Sequence, residues 1–286
     1  MELRHIAARA GRLSSFLRGE MNMSSGLMNR LKWGDAIRVN GVPRHTDYPV
    51  EPGDCITVRL EEPQPLYPAE DGPLEILDED DHILAVDKPA GMLIHPSRSK
   101  NDGTLANLVV GHYRRTGQPS AFHPVTRLDR DTFGVVLAAK NSHIHSLLQS
   151  GALQKTYHAL VFGTMPAPEG VIDAPIARKP LPSLLREISP EGKPSRTEYR
   201  VLRVLEGYSK VSLRPITGRT HQLRLHCAWV GCPILGDPQY GNDASGALSE
   251  EFGLHSQLLC AKELVFTHPI TGEKARIRSR MDAERP

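Results

Sequence analysis

The stretch RLDRDTFGVVLAA, residues 127–139, places a charged loop directly before an apolar run, and the interpretation of the surrounding domain starts from it. The apolar run from 134 onward predicts a buried strand. A charged loop at the mouth of a sheet is a frequent location for catalytic groups. The arginines on either side of Asp129 favour its ionised form, and a carboxylate can act as a nucleophile or a base. A surface cluster of ion pairs is the alternative interpretation of the same residues.

Outward from this stretch, strand-like and helix-like segments follow one another in irregular order. Apolar and alternating runs predict strands at 83–87, 134–139, 157–163, 199–202, 208–213 and 263–266. Helical spacing of apolar residues predicts helices at 104–115, 142–151 and 219–230. Strands that outnumber helices at irregular spacing favour an α+β fold over a doubly wound parallel sheet.

A second stretch that could carry chemistry is PITGRTHQLRLH, residues 215–226, which contains no acidic residue. Thr220 is suited to cap a helix, on which Arg224 shares a face with His221 and with apolar neighbours. Arg224 can therefore point inward, where a buried cation needs a carboxylate partner, and Asp129 is a candidate. The exposed helix N-terminus and its arginine would suit phosphate. An ordinary amphipathic helix with an arginine that reaches solvent is the alternative.

The N-terminal segment predicts a small domain of its own. Apolar residues at helical spacing predict two short helices within 11–34, with Ser24 or Ser25 as the N-cap of the second. Alternating runs predict strands at 37–42 and 56–60, separated by turn residues. Two helices followed by a hairpin, with basic residues on the helices, form a compact shape suited to RNA binding.

Charge and proline content separate this segment from the rest of the chain. Residues 1–44 hold eight Lys or Arg against three acids, and residues 45–81 hold twelve acids against one Arg, although the whole chain has a net charge of only +2. A basic head and an acidic joint fit a protein that binds a polyanion, and a solvated surface with one acidic linker is the alternative. The predicted segments are an RNA-binding domain at 1–62, an acidic Pro-rich linker at 63–74 and a catalytic domain at 75–286.

Length and composition place the chain among ordinary globular proteins. Its 286 residues are enough for about two domains, and 39% hydrophobic with 24% charged residues excludes collagen-like, wholly disordered and integral membrane classes. Four cysteines without CxxC spacing form neither a disulfide framework nor a zinc motif. The N-terminus lacks a secretory signal, so we expect a cytoplasmic protein. Without nucleotide-binding glycine motifs we expect no cofactor. The spacings of His143 with His145 and of His221 with His226 suit no metal site, so we expect no metal.

Taken together, the motifs of the second part of the chain resemble the RluA-type RNA pseudouridine synthases. In family order they are DKPAGMLIHP at 87–96, RLDRDTFG at 127–134, KTYHALV at 155–161, PITGRTHQLRLH at 215–226, GDPQYG at 236–241, LLCA at 258–261 and FTHP at 266–269. Each motif is weak alone, but the ordered set is specific and covers roughly residues 75–279. Residues 11–60 more loosely resemble an RNA-binding domain of the ribosomal small-subunit alpha-L type.

The resemblance implies a mixed, largely antiparallel catalytic sheet and the isomerisation of uridine in RNA to pseudouridine. Asp129 would be the nucleophile, attacking either the sugar C1′ or the uracil ring, and Arg224 would pair with it. Tyr157 would stack on the flipped base near the C5 proton that must leave. Leu259 would pack the pocket floor, with Leu258 as the alternative.

The implied partner is a structured ribosomal or transfer RNA, bound by a protein that we expect to be a monomer without a membrane partner. Extruding the target nucleotide from its stack costs a few kcal/mol, which phosphate contacts can offset. The predicted RNA-binding residues are Arg127, Arg130 and Arg219 around the site and Arg30 and Lys32 in the N-terminal segment.

Three positions depart from the family pattern. Thr126 stands where the family usually has His or Asn, Phe133 where it has Ser, and Cys260 where it has His. We interpret them as repacking around the site. A non-catalytic RNA-binding or chaperone protein with a decayed site is the alternative function. A hydrolase using Asp129 and Asp131 is disfavoured, because residues two apart on a strand face opposite sides.

Overall fold

The computed structural model describes residues 2–60, 67–97, 101–118, 120–180, 182–183 and 185–285. The predicted boundary at 62/63 and the first part of the predicted linker lie outside these ranges, so the domain division stays a prediction. The described residues contain a four-stranded sheet near the N-terminus and a ten-stranded sheet that follows it. No helix within these ranges is long and apolar enough to cross a membrane.

The four-stranded sheet and its helices occupy residues 2–59. Their bounds are β1 Glu2–Ile6, β2 Gly11–Arg12, α1 Leu13–Gly19, α2 Ser25–Leu31, β3 Ile37–Val39, β4 Val42–Pro43, β5 Pro49–Val50 and β6 Cys55–Arg59. The sheet order is β1-β6-β3-β4, and β2 pairs with β5 separately.

Both predicted N-terminal helices are present, and their apolar faces form one core with this sheet. Leu13 and Phe16 of α1 are fully buried in it. Ser24 caps α2 as predicted, because its side chain accepts a hydrogen bond from the Leu27 N–H at 3.2 Å. The strand β1 is absent from the sequence prediction, since its side chains alternate between exposed and half-buried and include no buried residue.

The ten-stranded sheet, a separate two-stranded sheet formed by β13 and β14, and four helices form the larger part of the chain. Their bounds are β7 Ile76–Glu79, β8 Ile83–Lys88, α3 Leu105–Arg115, β9 His123–Pro124, β10 Phe133–Ala139, α4 Ser142–Ser150, β11 Gln154–Phe162, β12 Glu169–Asp173, β13 Ile176–Arg178, β14 Arg186–Ile188, β15 Arg196–Val204, β16 Tyr208–Pro215, α5 Gln222–Trp229, α6 Asp243–Glu251, β17 Leu259–Thr267 and β18 Lys274–Arg278.

The order of the larger sheet is β12-β15-β16-β11-β17-β10-β8-β7, with β18 beside β17 and β9 beside β10. Among the described residues every pairing in it is antiparallel except that of β10 with β17. The predicted α+β class with a mixed, largely antiparallel sheet is confirmed.

The strand β10 is buried along its whole length because helices cover both faces of the sheet there. Val135 and Leu137 pack in one apolar cluster with Ile144 of α4. Val136 packs on the other face in a second cluster with Val109 of α3. An uninterrupted apolar run is what a strand covered on both faces requires, which explains the composition of residues 134–139.

The parallel contact of β10 with β17 depends on a glycine. Gly134 has φ +107°, and a Cβ built on it would lie 2.4 Å from the Ala261 carbonyl oxygen. Only glycine allows both this backbone conformation and this approach of two backbones. The contact fixes where β10 begins and hence the position of the charged loop before it.

Two helical predictions need correction. The helix predicted at 219–230 begins at Gln222, and its N-cap is His221, with φ 56° and no side-chain cap, rather than Thr220. The helix α6 lies where the sequence predicted none. Its residues are small and polar, with only Ser245 and Ser249 buried, so it presents no apolar stripe to read.

Replacing Gly134 with alanine should lower the free energy of unfolding by about 3 kcal/mol or more, because backbone strain and overpacking act together. Gly163→Ala is the matched control. Gly163 has φ +67°, and a Cβ added to it would meet no atom within 4 Å, so only the left-handed backbone opposes alanine, at about 1 kcal/mol. Urea unfolding measures both, and equal losses would contradict the close approach to β17.

Candidate active site

An open cleft of about 680 Å³ lies beside the start of β10, the start of β11 and the start of α5. The loop at 127–132 forms one side, and the loop at 215–221 forms the other. The structure brings six of the predicted site residues into its lining: Asp129, Tyr157, Arg224, Leu259, Arg127 and Arg219.

Asp129 presents its carboxylate to the cleft. Its side chain is 33% exposed, and Oδ2 lies 3.5 Å from Nη1 of Arg224 and 3.9 Å from Nε2 of His221. One long contact to a guanidinium leaves most of the oxygen lone pairs free. The carboxylate is therefore held near a cation and remains open to a substrate.

Arg224 points inward as predicted, but Asp129 is its weaker partner. Nε and Nη2 donate to the two carboxylate oxygens of Asp237, each at 2.7 Å, and Nη2 also donates to Oε1 of Gln239 at 3.0 Å. Burial opposes the charge of Arg224, but its hydrogen bonds to Asp237 outweigh this and raise its pKa. The sequence prediction of the partner was therefore incomplete, since two carboxylates share one guanidinium.

Asp237 is the site residue that the sequence prediction missed. Its side chain is fully buried, and Oδ1 also accepts hydrogen bonds from the backbone N–H groups of Gln239 and Tyr240. These local bonds make 236–241 the tight turn that the sequence predicts. The available signal was chemical: an arginine buried by its helix needs a carboxylate that can accept two bonds in parallel.

Tyr157 lies at an irregularity in the sheet. The register of β11 against β17 shifts between Thr156 and Tyr157, so that Lys262 is skipped. A bulge of this kind re-aims a side chain, and it turns the half-buried Tyr157 into the cleft beside buried Leu259. Burial and then the charge of Asp129 raise the pKa of Tyr157, so the phenol keeps its proton at neutral pH.

The His221 ring lies between Asp129, on the opposite side of the cleft, and the Tyr240 hydroxyl. Nδ1 lies 2.9 Å from the Tyr240 hydroxyl, which also accepts a hydrogen bond from the Arg186 N–H. Burial lowers the pKa of His221, partly offset by Asp129, and the ring is neutral at pH 7. His221 has a left-handed backbone, and α5 begins at the next residue, Gln222. The conformation of His221 therefore sets the direction in which Arg224 points.

Lys88 supports the loop that carries Asp129. It is fully buried, and its ammonium donates to the carbonyl oxygens of Pro89, Met92 and Arg130 at 2.8–2.9 Å. Burial lowers the pKa of Lys88 to about 8, although the charges of Asp131 and Asp129 act in the opposite direction. The bond to the Arg130 carbonyl ties the residue after Asp129 to the end of β8.

The cations around the cleft differ in their surroundings. Arg127 and Arg219 are exposed on its two sides, and Nε of Arg219 donates to the Pro194 carbonyl at 3.3 Å. Burial, followed by the charge of Arg127, lowers the pKa of the neighbouring Lys155, which also lines the cleft. Arg130 is exposed and pairs with Asp131 rather than lining the cleft.

The argument against a hydrolase needs correction. Asp129 and Asp131 lie in a loop and not on a strand, so the strand argument against a hydrolase does not apply; Asp131 is instead occupied by Arg130. Among the described residues no group of three or more His, Cys, Asp or Glu could hold a metal ion.

The three departures from the family pattern are all buried. Thr126 accepts a hydrogen bond from the Leu137 N–H at 2.9 Å. Phe133 and Cys260 are register partners in β10 and β17 and share one apolar cluster. They lie outside the cleft lining.

The remaining predicted residues lie in the N-terminal part. Arg30 is exposed, and its Nη2 donates to Oγ of Ser142, the first residue of α4, at 3.2 Å. The Lys32 ammonium lies over the ring of Trp33, 5.2 Å from its centroid. Neither residue lines the cleft.

Comparison with known proteins identifies relatives along most of the chain. The sequence model of a family described as RNA pseudouridylate synthase matches residues 82–229, a range that contains Asp129, Tyr157 and Arg224 but not Asp237. The Bacillus subtilis RNA pseudouridine synthase YjbO is 37% identical over 268 residues, 91% of this chain and 92% of that protein. The ribosomal large subunit pseudouridine synthase C of Vibrio cholerae is 32% identical, over 95% of this chain and 90% of its own.

A solved structure supports the same relationship. The human protein RNA pseudouridylate synthase domain containing 1 superposes with a TM-score of 0.61 at 26% identity. The match covers 76% of this chain and 86% of the human chain.

Lys88→Met should reveal the buried ammonium through the pH dependence of stability. The pKa of Lys88 is about 8 in the folded chain, against 10.5 for an ordinary lysine. Between pH 8 and 10.5 the unfolded state binds more protons than the folded state. The free energy of unfolding of the wild type therefore rises relative to that of the variant as pH rises, by at most about 3 kcal/mol. Urea unfolding of both proteins near neutral pH and near pH 10 measures the difference. A difference that is constant with pH contradicts the buried charge.

Proposed function

The chain belongs to the RNA pseudouridylate synthase family, and from this premise we propose that Asp129 is the nucleophile with which it converts a uridine of ribosomal RNA to pseudouridine. One observation supports the assignment above the others. Asp129, Tyr157 and Arg224, which are up to 95 residues apart in the chain, converge on a single cleft.

The reaction needs a nucleophile and returns it unchanged. Uracil is detached from the ribose at its N-glycosidic bond, turned, and rejoined through C5, and the C5 proton is then lost to the medium while N1 gains one. No electrons are exchanged with another molecule, and the product is an isomer of the substrate. An ionised carboxylate at Asp129 serves either chemical route, attack on the sugar C1′ or on the uracil ring.

In this proposal Arg224 is held in place by Asp237 through one edge of its guanidinium and faces Asp129 with the remaining nitrogen. Two short bonds to Asp237 fix the guanidinium in a buried position. The remaining Nη1 faces Asp129 at 3.5 Å and places a positive charge beside its carboxylate. Without Asp237 the guanidinium could form a bidentate pair with Asp129, which would occupy the oxygens that must attack.

Tyr157 suits a role in holding the base. Its neutral phenol ring lies in the cleft beside Leu259, and a ring in this position can stack on uracil. The negative charge of Asp129 contributes to its raised pKa.

The names of the relatives support a ribosomal substrate. Several are ribosomal large subunit pseudouridine synthases, of type C or D, from Vibrio cholerae and other bacteria. We propose that Arg127 and Arg219 bind phosphates on either side of the target, and that Arg130, Arg30 and Lys32 add contacts farther away. We propose that a monomer carries out the reaction in the cytoplasm, and that it needs no redox cofactor because the reaction has no net redox change.

Asp129→Asn should abolish pseudouridine formation, by at least about 10⁴-fold, because an amide cannot replace the attacking carboxylate. Asp131→Asn removes the same charge two residues away and should keep activity within about tenfold. Release of tritium from ribosomal RNA transcripts labelled at C5 of uridine measures both, and filter binding checks that the RNA still binds. Activity in Asp129→Asn close to wild type would remove Asp129 from the role of nucleophile.

Asp237→Asn should lower kcat by about 100-fold with little change in KM, because the guanidinium that aims Asp129 loses its anchor. Gln239→Ala removes one neutral hydrogen bond to the same guanidinium and should lower kcat by less than tenfold. The same tritium assay measures both variants, with circular dichroism to confirm folding. Equal kcat values for the two variants would show that Asp237 does not position Arg224.

A further inference from the structure

Trp33 is the most exposed of the large hydrophobic side chains among the described residues, at 78%. It follows directly on α2, whose C-cap is Lys32. An indole in water forgoes the stabilisation that burial would bring. A tryptophan in this position therefore needs an explanation beyond packing.

The exposed ring is nevertheless held in place. The Lys32 ammonium lies 5.2 Å from its centroid, and the His45 ring lies 4.9 Å away at an interplanar angle of 44°. Nδ1 of His45 is fixed in turn by Asp47 at 2.9 Å. A pre-positioned aromatic ring loses less conformational entropy on binding than a freely rotating one.

The charges near Trp33 leave an excess of cations, because the acids Asp35 and Asp47 are paired with Arg38 and His45, and this excess indicates an anionic ligand. Arg44 stacks its guanidinium on Tyr48, 4.5 Å from the ring centroid, one residue before His45. Arg30 precedes Trp33 by three residues, and residues 1–44 hold eight Lys or Arg against three acids. Aromatic rings interleaved with cations are typical of surfaces that bind unpaired nucleotides, where bases stack on the rings and cations follow the phosphates.

The contact between Arg30 and Ser142 relates this surface to the cleft. Ser142 begins α4, and Gln149 near the other end of α4 lines the cleft. Seven residues of helix span about 10 Å. An RNA strand that extends from the cleft along α4 would therefore reach Arg30, three residues before Trp33 in the chain.

We propose that Trp33 is a stacking platform for an unpaired base of the RNA substrate, outside the catalytic cleft. Lys32 and Arg44 neutralise phosphates flanking that base. This inference deepens the proposed function, on which it rests, by selecting RNAs that carry a single-stranded loop or bulge near the target uridine.

The chain has two tryptophans, so Trp229→Phe leaves Trp33 as the only indole. Its fluorescence should be quenched, with saturation, by an RNA hairpin that carries a single-stranded loop. A fully paired RNA duplex of the same stem should quench it little at equal occupancy, measured by filter binding. Bound hairpin without quenching overturns the proposal. A change in Trp33 fluorescence that depends on protein concentration without RNA also overturns it, because it assigns the surface to self-association.

Substitution tests the energetic contribution separately. Trp33→Ala should raise the Kd for the hairpin about tenfold, and Trp33→Phe, which keeps an aromatic face, should restore most of the affinity. Trp229→Ala is the matched control, since Trp229 is also exposed, at 62%, and should leave Kd within a factor of about two. Equal effects of Trp33→Ala and Trp33→Phe would contradict stacking.

The outcomes separate this inference from the proposed function. Tritium release by Trp33→Ala at saturating RNA should match the wild type, because the effect lies in binding. Hairpin binding with quenching but no tritium release from any ribosomal transcript would refute the proposed function and leave the stacking platform intact. Tritium release by the wild type, together with an unchanged Kd in Trp33→Ala, would support the proposed function and refute the stacking platform.

Discussion

The bidentate ion pair between Arg224 and Asp237 is the contact on which the arrangement of the site depends. Both side chains are buried, and removing either partner would leave an uncompensated buried charge. Asp237 occupies the edge of the guanidinium formed by Nε and Nη2 and so leaves Nη1 to face Asp129 at 3.5 Å. The consequence is a carboxylate that has a nearby positive charge and still has free oxygens, which is what a nucleophile that must stay ionised requires.

The rest of the fold brings these three charges together. Gly134 allows β10 to approach β17 closely, which fixes the start of the strand behind Asp129. Lys88 holds the backbone of the same loop through the Arg130 carbonyl. On the opposite side the left-handed backbone of His221 starts α5 where Arg224 turns inward. The site thus depends on a few backbone constraints that lie outside the reacting groups.

Much of the larger sheet could be predicted because runs such as 134–139 are long, apolar and bounded by polar loops. Asp129 and Arg224 could be paired because a buried cation needs an anion. Asp237 could not be assigned to Arg224, since the turn at 236–241 has a sufficient local explanation and the contact depends on the start of α5. The left-handed conformation of His221 has no sequence signature. The helix α6 has no apolar stripe from which it could be predicted, since it is stabilised by its capping box and two buried serines instead.

The most direct test of the whole account is a map of pseudouridine in total RNA from cells with and without this gene, by carbodiimide adducts and primer extension. The account predicts that one or a few uridines of ribosomal RNA lose modification in the deletion strain. They should regain it when the wild-type chain is supplied, but not when the Asp129→Asn variant is supplied. Identical maps with and without the gene would contradict it and would favour a protein that binds RNA without modifying it.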